Sequence, residues 1–197
     1  MQLDELTSFR RVTEPAAWLV TPVLAETYLR ITVGSEDTLV QHLLEVATAY
    51  AEDYTRRALL TQQWQATIDN GALPADGVID LPRPPLQSVE SITYLDDDGA
   101  SQTLSTSNYT VDIKSEPGRI YFQDMPSIKA TLNALTINYT AGYGDAGTDV
   151  PRRIQQAVLL MINHFYELRV PIITNATAVR VPLSANALLD TYKISYL

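Results

Sequence analysis

"TINYTAGYGDAGTDVPRRIQ" (Thr136–Gln155) joins a run of alternating, strand-like residues to a run with helical spacing. Within it, Gly142, Gly144 and Gly147 spell G-x-G-x-x-G, and Glu167 follows the last glycine by twenty positions. A strand, this glycine pattern, a helix and a later acidic residue are the fingerprint of a dinucleotide-binding enzyme. The stretch therefore offers two alternatives, a nucleotide-binding oxidoreductase or a glycine-rich join between two parts of the fold.

The surroundings of these glycines favour the join. A dinucleotide loop opens directly into a helix whose N-terminus binds the pyrophosphate, but Asp149–Pro151 separates Gly147 from the helical run. Asp145 and Asp149 would place negative charge where the phosphates belong, and no βαβ unit follows. We therefore predict no bound cofactor and assign the three glycines to backbone positions that need positive φ. The oxidoreductase stays as the alternative function.

Outward from this join, the chain divides into strand-like and helix-like segments. Short alternating runs separated by turn residues fill the middle, and helical spacing recurs on both sides. The predicted fold class is α+β, a helical bundle built from both chain ends with a small antiparallel β subdomain inserted. The predicted divisions are a flexible N-terminal segment (1–20), the helical bundle (21–61 and 148–190), the β-rich insertion (62–147) and a C-terminal docking tail (191–197).

Capping residues predict where the helices begin. Thr21 with Pro22, and then Ser35, are placed to cap the first and second helices, and Asp149 with Pro151 is placed to start the third. Apolar residues at three- and four-residue spacing predict the buried face of each long helix. These residues are Leu39, Leu43, Val46, Ala47, Tyr50 and Tyr54 in the second helix, and Ile154, Ala157, Val158, Met161, Ile162 and Phe165 in the third.

No residue pattern in the sequence indicates catalysis or metal binding. The acidic run Asp96–Gly99 lacks the alternating ligands of a calcium loop, and Asp-Gly favours a hairpin turn. His42 and His164 lie in helical runs without the partners of a zinc or nucleophile motif. We predict that the protein is not an enzyme and has no catalytic residue and no metal site.

The composition of the 197 residues is that of an ordinary globular chain, without cysteine and with a formal net charge of −9. Thiolate metal sites and disulfides are excluded, and no apolar run is long enough to span a membrane. An acidic chain does not hold DNA through its overall field, because phosphate binding needs a local excess of cations. The acidity fits either an ordinary acidic protein or a surface that lies near DNA without binding it.

The last eleven residues, "ALLDTYKISYL", are unusually apolar. Such a segment can pack on its own core or dock on a partner, and the sequence leaves both alternatives open. If it docks, the candidate binding residues are Leu188, Leu189, Tyr192, Ile194, Tyr196 and Leu197.

Taken in order, several stretches resemble the head–tail connector (adaptor, or head-completion) proteins of long-tailed bacteriophages and phage-like gene transfer particles. They run from "LAETYLRI" through "LPRPPLQSVESITYLDDDG" and "PGRIYF" to "TAGYGD" and "ALLDTYK", and cover residues 22–193. The combination of the proline-rich strand, the acidic turn and the glycine-rich join is specific, although each part alone is common.

The resemblance implies a structural role. Members of that family form rings, typically of twelve subunits, beneath the portal of a packaged head, and they extend the DNA channel. The implied partners are the portal protein, further copies of the chain and a stopper or tail-terminator protein, with DNA passing through the lumen without specific binding. The implied location is the head–tail junction of the particle, after assembly in the host cytoplasm. The six apolar residues of the C-terminal tail become candidates for portal binding.

Overall fold

The computed structural model describes residues 8–32, 34–69, 74, 76–168 and 182–195. Helices and two antiparallel sheets both occur in this part of the chain, which confirms the α+β class. The helices are α1 (Pro22–Leu29), α2 (Asp37–Thr55), α3 (Arg152–Glu167) and α4 (Leu183–Asp190). The strands are β1 (Ser8–Thr13), β2 (Gln62–Ile68), β3 (Val78–Leu81), β4 (Leu86–Leu95), β5 (Ser101–Thr103), β6 (Tyr109–Asp112), β7 (Gly118–Phe122) and β8 (Leu135–Ala141).

The chain forms two compact units. All eight strands belong to a β-rich unit that draws on Met1–Pro15, Thr61–Tyr143 and Ile194–Leu197. All four helices belong to a helical unit made of Ala16–Leu60 and Gly144–Lys193. The chain passes from the first unit to the second between Tyr143 and Gly144, inside the glycine-rich stretch.

A five-stranded antiparallel sheet in the order β1-β2-β8-β4-β5 forms most of the β-rich unit. Its side chains alternate between a buried and a solvent-facing side, because successive residues of a strand point to opposite faces. The buried side includes Trp64, Ile92, Ile137 and Tyr139. The smaller sheet, in the order β3-β7-β6, buries Ile120 and its neighbours on one face in the same way.

Residues 1–20 were predicted to be a flexible segment without strands. The absence of strands was wrong for Ser8–Thr13. These residues form β1, which pairs antiparallel with β2 along Ser8–Thr13 and Gln63–Thr67. The strand SFRRVT is mostly exposed, and its pairing with β2 is supported by cross-strand side-chain contacts such as Phe9–Trp64 and Arg10–Gln65. No periodic apolar signal marks it in the sequence.

The helical unit is built around α2 and α3. Helix α2 packs on α1, α3 and α4, and α3 also packs on α1 and α4. On α3, five of the six predicted apolar positions are buried, and Phe165 is half-buried. This burial follows the 3.6-residue period of the helix.

The observed buried face of α2 differs from the predicted one, because most buried residues lie one position after the predicted residues. The buried positions are Val40, Leu44, Ala47, Ala51, Glu52 and Thr55. Val46 is instead 41% exposed, and the other predicted residues except Ala47 are half-buried. Helix α2 is apolar over more than one stripe, so its periodicity did not determine which stripe faces the core.

The capping predictions were correct for the first helix and wrong for the other two. Thr21 caps α1, accepting a hydrogen bond from the Leu24 amide at 3.3 Å. Helix α2 has Glu36 rather than Ser35 at its N-cap, and α3 has Pro151 rather than Asp149. Asp149 instead ends the short 3₁₀ turn Gly147–Asp149 before α3, and its carboxylate accepts a hydrogen bond from the amide of the N-cap residue Ala146.

Candidate interaction surfaces

Glycine is required at the three positions of the join for different structural reasons. Gly142 adopts a φ of +139°, a conformation that disfavours side chains. Gly144 and Gly147 have no positive φ; a Cβ on either would collide with the Asp149 carboxylate or the Leu19 carbonyl, respectively. The expectation of positive φ at all three positions was therefore wrong for these two, which are small because other atoms approach closely.

The amides of this loop do not present a phosphate site. Asp149 Oδ2 accepts a 2.9 Å hydrogen bond from the Ala146 amide, so a carboxylate holds the position that a phosphate oxygen would need. Within the described residues, no three His, Asp or Glu side chains are arranged to hold a metal ion. His42 is exposed on α2, and the ring of His164 lies 5.8 Å from that of Phe165.

No helix in the described parts of the chain is both long and apolar enough to cross a membrane.

The six apolar residues proposed for portal binding have different environments. Leu189 is fully buried and Ile194 is 8% exposed, whereas Leu188 and Tyr192 are half-buried. Tyr196 and Leu197 lie outside the described residues. In this conformation, therefore, Leu189 belongs to the core of the helical unit, and of the four described residues Leu188 and Tyr192 offer the greater accessible surface.

A polar seam fixes α4 and the residues after it to α2. Tyr50 donates a hydrogen bond to Asn186 at 3.2 Å, and Tyr54 donates one to Asp190 at 2.5 Å. One turn later, Arg57 Nε donates to the carbonyl of Tyr192 at 2.6 Å. The hydrogen bond to Asp190 raises the pKa of Tyr54 to about 12. The sequence marked Tyr50 and Tyr54 only as apolar helix positions and missed their polar partners, which lie about 136 residues away.

The solvent-facing side of the five-stranded sheet carries a hydrogen-bonded row of polar side chains. Arg10 donates to Gln65 at 3.1 Å, Gln65 to Asn138 at 2.9 Å, and Asn138 to Ser91 at 3.0 Å. These residues come from β1, β2, β8 and β4, in the order of the strands. The row is neutral apart from Arg10 at its β1 end.

The β1 edge of this sheet is positively charged on both faces. Arg10 lies at the end of the polar row, and Arg11 and Arg83 lie on the opposite face, over the ring of Trp64 at 5.4 Å and 5.5 Å. Glu14 forms an ion pair with Arg11 at 2.6 Å. Among the described residues, three cations and one anion lie at this edge, a balance of about +2.

The opposite edge is acidic. Strand β5 pairs with only Thr93–Leu95, so in the described chain the rest of β4 is itself the edge. Glu90 is exposed on that open part, and Asp96–Asp98 form the turn between β4 and β5. Lys129 lies against Gly99 in the same turn. Four anions and one cation give this edge a charge of about −3.

The predicted hairpin turn is confirmed and is tightly held. The Gly99 amide donates to the Asp96 carbonyl at 2.8 Å, and Gly99 has a φ of +84°. The Asp96 carboxylate accepts from Gln102 and from the Ala100 amide, both at 2.8 Å, and these bonds lower its pKa. Asp97 and Asp98 remain exposed at the tip.

An ionic row crosses the smaller sheet. Arg119 on β7 is in register with Asp80 on β3 and with Asp112 on β6. Asp112 receives hydrogen bonds from the Ser115 hydroxyl at 2.6 Å, from Arg119 at 2.7 Å and from the Lys114 amide at 2.9 Å. These donors hold the pKa of Asp112 well below its usual range.

The charge is unequally divided between the two units. The β-rich unit contains 13 acidic and 6 basic residues, so it carries −7 of the total −9. The helical unit, with 10 acidic and 8 basic residues, carries the remaining −2.

Comparison with known proteins assigns a family to this fold. Residues 20–193 match the model of the head completion protein family. No curated protein matches the chain.

Solved structures with the same fold come from gene transfer agent (GTA) particles. They are chains in the virion of a native GTA particle (TM-score 0.77), in the neck of an empty GTA particle computed with C6 symmetry (0.76) and in the neck of a native GTA particle computed with C12 symmetry (0.71). Each is 21% identical and is matched over 97% of both chains. The predicted resemblance is confirmed: the chain belongs to the head completion protein family and is a structural protein of the phage head–tail type.

Proposed function

We propose that this protein forms a ring beneath the portal of a phage or phage-like particle, extends the DNA channel and offers a docking surface to a stopper or tail terminator. The observation that carries the proposal is the family match over residues 20–193. The similar chains in GTA necks, matched over 97% of their length, support a location at the head–tail junction. The protein would reach this location after assembly in the host cytoplasm.

The role is structural and not enzymatic. The one motif that suggested an oxidoreductase is the glycine-rich stretch, where the Asp149 carboxylate already accepts a hydrogen bond from the loop amide of Ala146. A dinucleotide would bring a pyrophosphate against this carboxylate, and the two negative charges would repel.

The ring is a homo-oligomer, with twelve subunits as the expected number. Support comes from the neck structure computed with C12 symmetry, which contains a chain of the same fold. A closed ring needs one surface of each copy to bind a different surface of the next copy.

DNA passes through the lumen without specific binding. The β-rich unit carries −7 per copy, and an acidic wall repels phosphate, whereas a basic wall would hold it. A variant with Glu116→Lys and Asp124→Lys, two exposed carboxylates of the β-rich unit, is expected to retain duplex DNA at low salt, when the wild-type protein does not. DNA retention by the wild-type protein at physiological salt would contradict this part of the proposal.

The C-terminal segment binds the portal. Leu188 and Tyr192 are half-buried, so part of each side chain is accessible to the portal. Weak contacts made by each copy add up around a ring. Leu189 serves instead to hold α4 in place, since it is fully buried. Ile194, Tyr196 and Leu197 complete the proposed contact.

Electron microscopy of the protein mixed with purified portal rings from the same particle tests the function. The expected result is an additional ring on one end of the portal, with the protein alone as the control. A second control replaces the portal with an unrelated ring of similar size. The proposal fails if the protein and its portal stay separate at concentrations where both are folded.

A further inference from the structure

We propose that neighbouring copies of this chain associate head to tail through the two edges of the five-stranded sheet. The basic β1 edge of one copy would lie against the acidic edge of the next copy, formed by β4, β5 and the turn between them. The inference rests on the proposed ring and names the surfaces that build it.

The two edges of the five-stranded sheet carry opposite charges. The β1 edge has about +2 from Arg10, Arg11, Arg83 and Glu14. The opposite edge has about −3 from Glu90, Asp96–Asp98 and Lys129. Unlike edges attract and like edges repel, so a symmetric dimer through two β1 edges is disfavoured. A contact between unlike surfaces produces a ring when its rotation closes.

Within the described residues, each edge also has a stretch of strand with a neighbouring strand on one side. In the described chain, β1 has β2 as its one strand neighbour, and the stretch of β4 before Thr93 has β8 as its one neighbour. Such edges carry hydrogen-bonding groups that can pair with a strand of another chain. The two open stretches, Ser8–Thr13 and residues 87–91, are of similar length, and both have irregular register, the first between Arg11 and Thr13 and the second at two points between Leu86 and Ser91.

The register of the sheet suggests which residues meet. Arg10 is in line with Gln65, Asn138 and Ser91 across four strands. If the row continues into the next copy, Arg10 lies beside Ser91 and its neighbour Glu90. The row of side-chain hydrogen bonds would then run from one copy to the next.

Exposed apolar side chains on both edges add burial. Phe9 and Val12 on β1 are 40% and 54% exposed, and Leu132 is 71% exposed. Leu132 lies in the loop that follows Lys129, next to the end of β4, where the Leu95 amide donates to the Ala134 carbonyl. Covering apolar surface supplies free energy that charge alone does not. An irregular register between Arg11 and Thr13 twists the β1 edge and limits unspecific pairing.

Cross-linking tests this arrangement, because the chain has no cysteine of its own. Arg10→Cys and Glu90→Cys are combined in one chain, which is assembled on portal rings and treated with a short bismaleimide. A head-to-tail contact gives a ladder of covalent oligomers up to the size of the ring. The matched control combines Glu90→Cys with Lys114→Cys, which lies after β6 of the other sheet, and is expected to give no ladder.

Charge reversal gives a second measurement on the same surfaces. Arg10→Glu or Glu90→Lys alone is expected to weaken each interface about fivefold, the change that ~1 kcal/mol produces. The two together should restore ring formation. Lys114→Glu and Glu116→Lys make the same charge changes elsewhere and should leave it unaltered.

The outcomes separate the inference from the proposed function. Rings on the portal without a cross-linked ladder, and with no effect of charge reversal, overturn the inference and leave the proposed function standing. Dimers formed equally by the single variant Arg10→Cys would indicate a symmetric contact and also overturn it. No ring of wild-type protein on its portal would overturn both.

Discussion

The hydroxyl of Tyr54 donates a 2.5 Å hydrogen bond to Oδ1 of Asp190 and so joins α2 to the last residue of α4. Tyr54 also stacks on Tyr50, with the ring centroids 5.9 Å apart, and Lys193 Nζ lies 5.0 Å from the Tyr54 ring centroid. Tyr54 is therefore one of several contacts that position the C-terminal helix, beside Tyr50, Arg57 and the buried Leu189.

Tyr54→Phe removes the hydrogen bond and keeps the ring. We expect the free energy of unfolding to fall by about 1 kcal/mol or less, because Asp190 is exposed and water replaces part of the lost bond. Urea unfolding followed by circular dichroism measures this change. Tyr28→Phe is the matched control, since the Tyr28 hydroxyl has only a long 3.4 Å contact with Gln156. An equal loss in both variants would contradict the assigned role of Asp190.

The same contact predicts a loss of stability in alkali. The pKa of Tyr54 is raised from 10 to about 12 because the neutral phenol donates to Asp190. A group with a raised pKa in the folded state contributes fully below pH 10, and the contribution is lost as the pH rises toward 12. The free energy of unfolding, measured between these pH values, should fall more steeply in the wild-type protein than in Tyr54→Phe. Parallel curves would show that Tyr54 does not hold its proton more tightly in the folded state.

Asp112 predicts the opposite dependence in acid. Its pKa is held below the usual 3.8 by the Ser115 hydroxyl, Arg119 and the Lys114 amide. The stabilising contribution is therefore complete above pH 3.8 and is lost as the pH falls below it. Asp112→Asn should make acid unfolding less steep, and Asp124→Asn, an exposed carboxylate, should leave the curve unchanged. A steeper curve for Asp112→Asn would refute the prediction.

Gly118→Ala should destabilise the β-rich unit through crowding. The backbone of Gly118 has no positive φ, but a Cβ there would overlap the side chain of buried Leu86. Overpacking of this kind costs about 1–3 kcal/mol. Adding Leu86→Gly removes every overlapping Leu86 atom, including Cβ, and should give a total loss smaller than the sum of the two single losses. Leu86→Ala keeps Cβ and should relieve less of the overlap. Strict additivity would exclude this contact as the cause.

Leu188 and Leu189 should separate folding from portal binding. Leu189→Ala leaves a cavity in the core and should cost about 2–5 kcal/mol of stability. Leu188→Ala should cost about 1 kcal/mol or less, since the side chain is half-buried, and should weaken binding to the portal. Thermal unfolding and portal pull-down measure the two effects. Unchanged portal binding in Leu188→Ala would remove this residue from the proposed contact.

Much of the fold could be predicted because local rules determine it. Strand alternation placed β8, Asp-Gly placed the turn after β4, and helical periodicity placed the buried face of α3. The family could be predicted as well, because a specific order of short stretches carries the resemblance. Strand β1 could not be predicted, since an edge strand with exposed arginines has no hydrophobic pattern.

The sequence by itself determined the α+β class, the position of the join near Gly142–Gly147 and the overall acidity. These depend on spacing, composition and residue type along neighbouring positions. Only the tertiary structure decided that Leu189 is core, that Tyr54 bonds to Asp190 and that the sheet has one basic and one acidic edge. Each of these depends on which distant parts of the chain the fold brings together: Tyr54 and Asp190 are 136 positions apart, and strand order places Arg10 and Glu90 at opposite edges of one sheet.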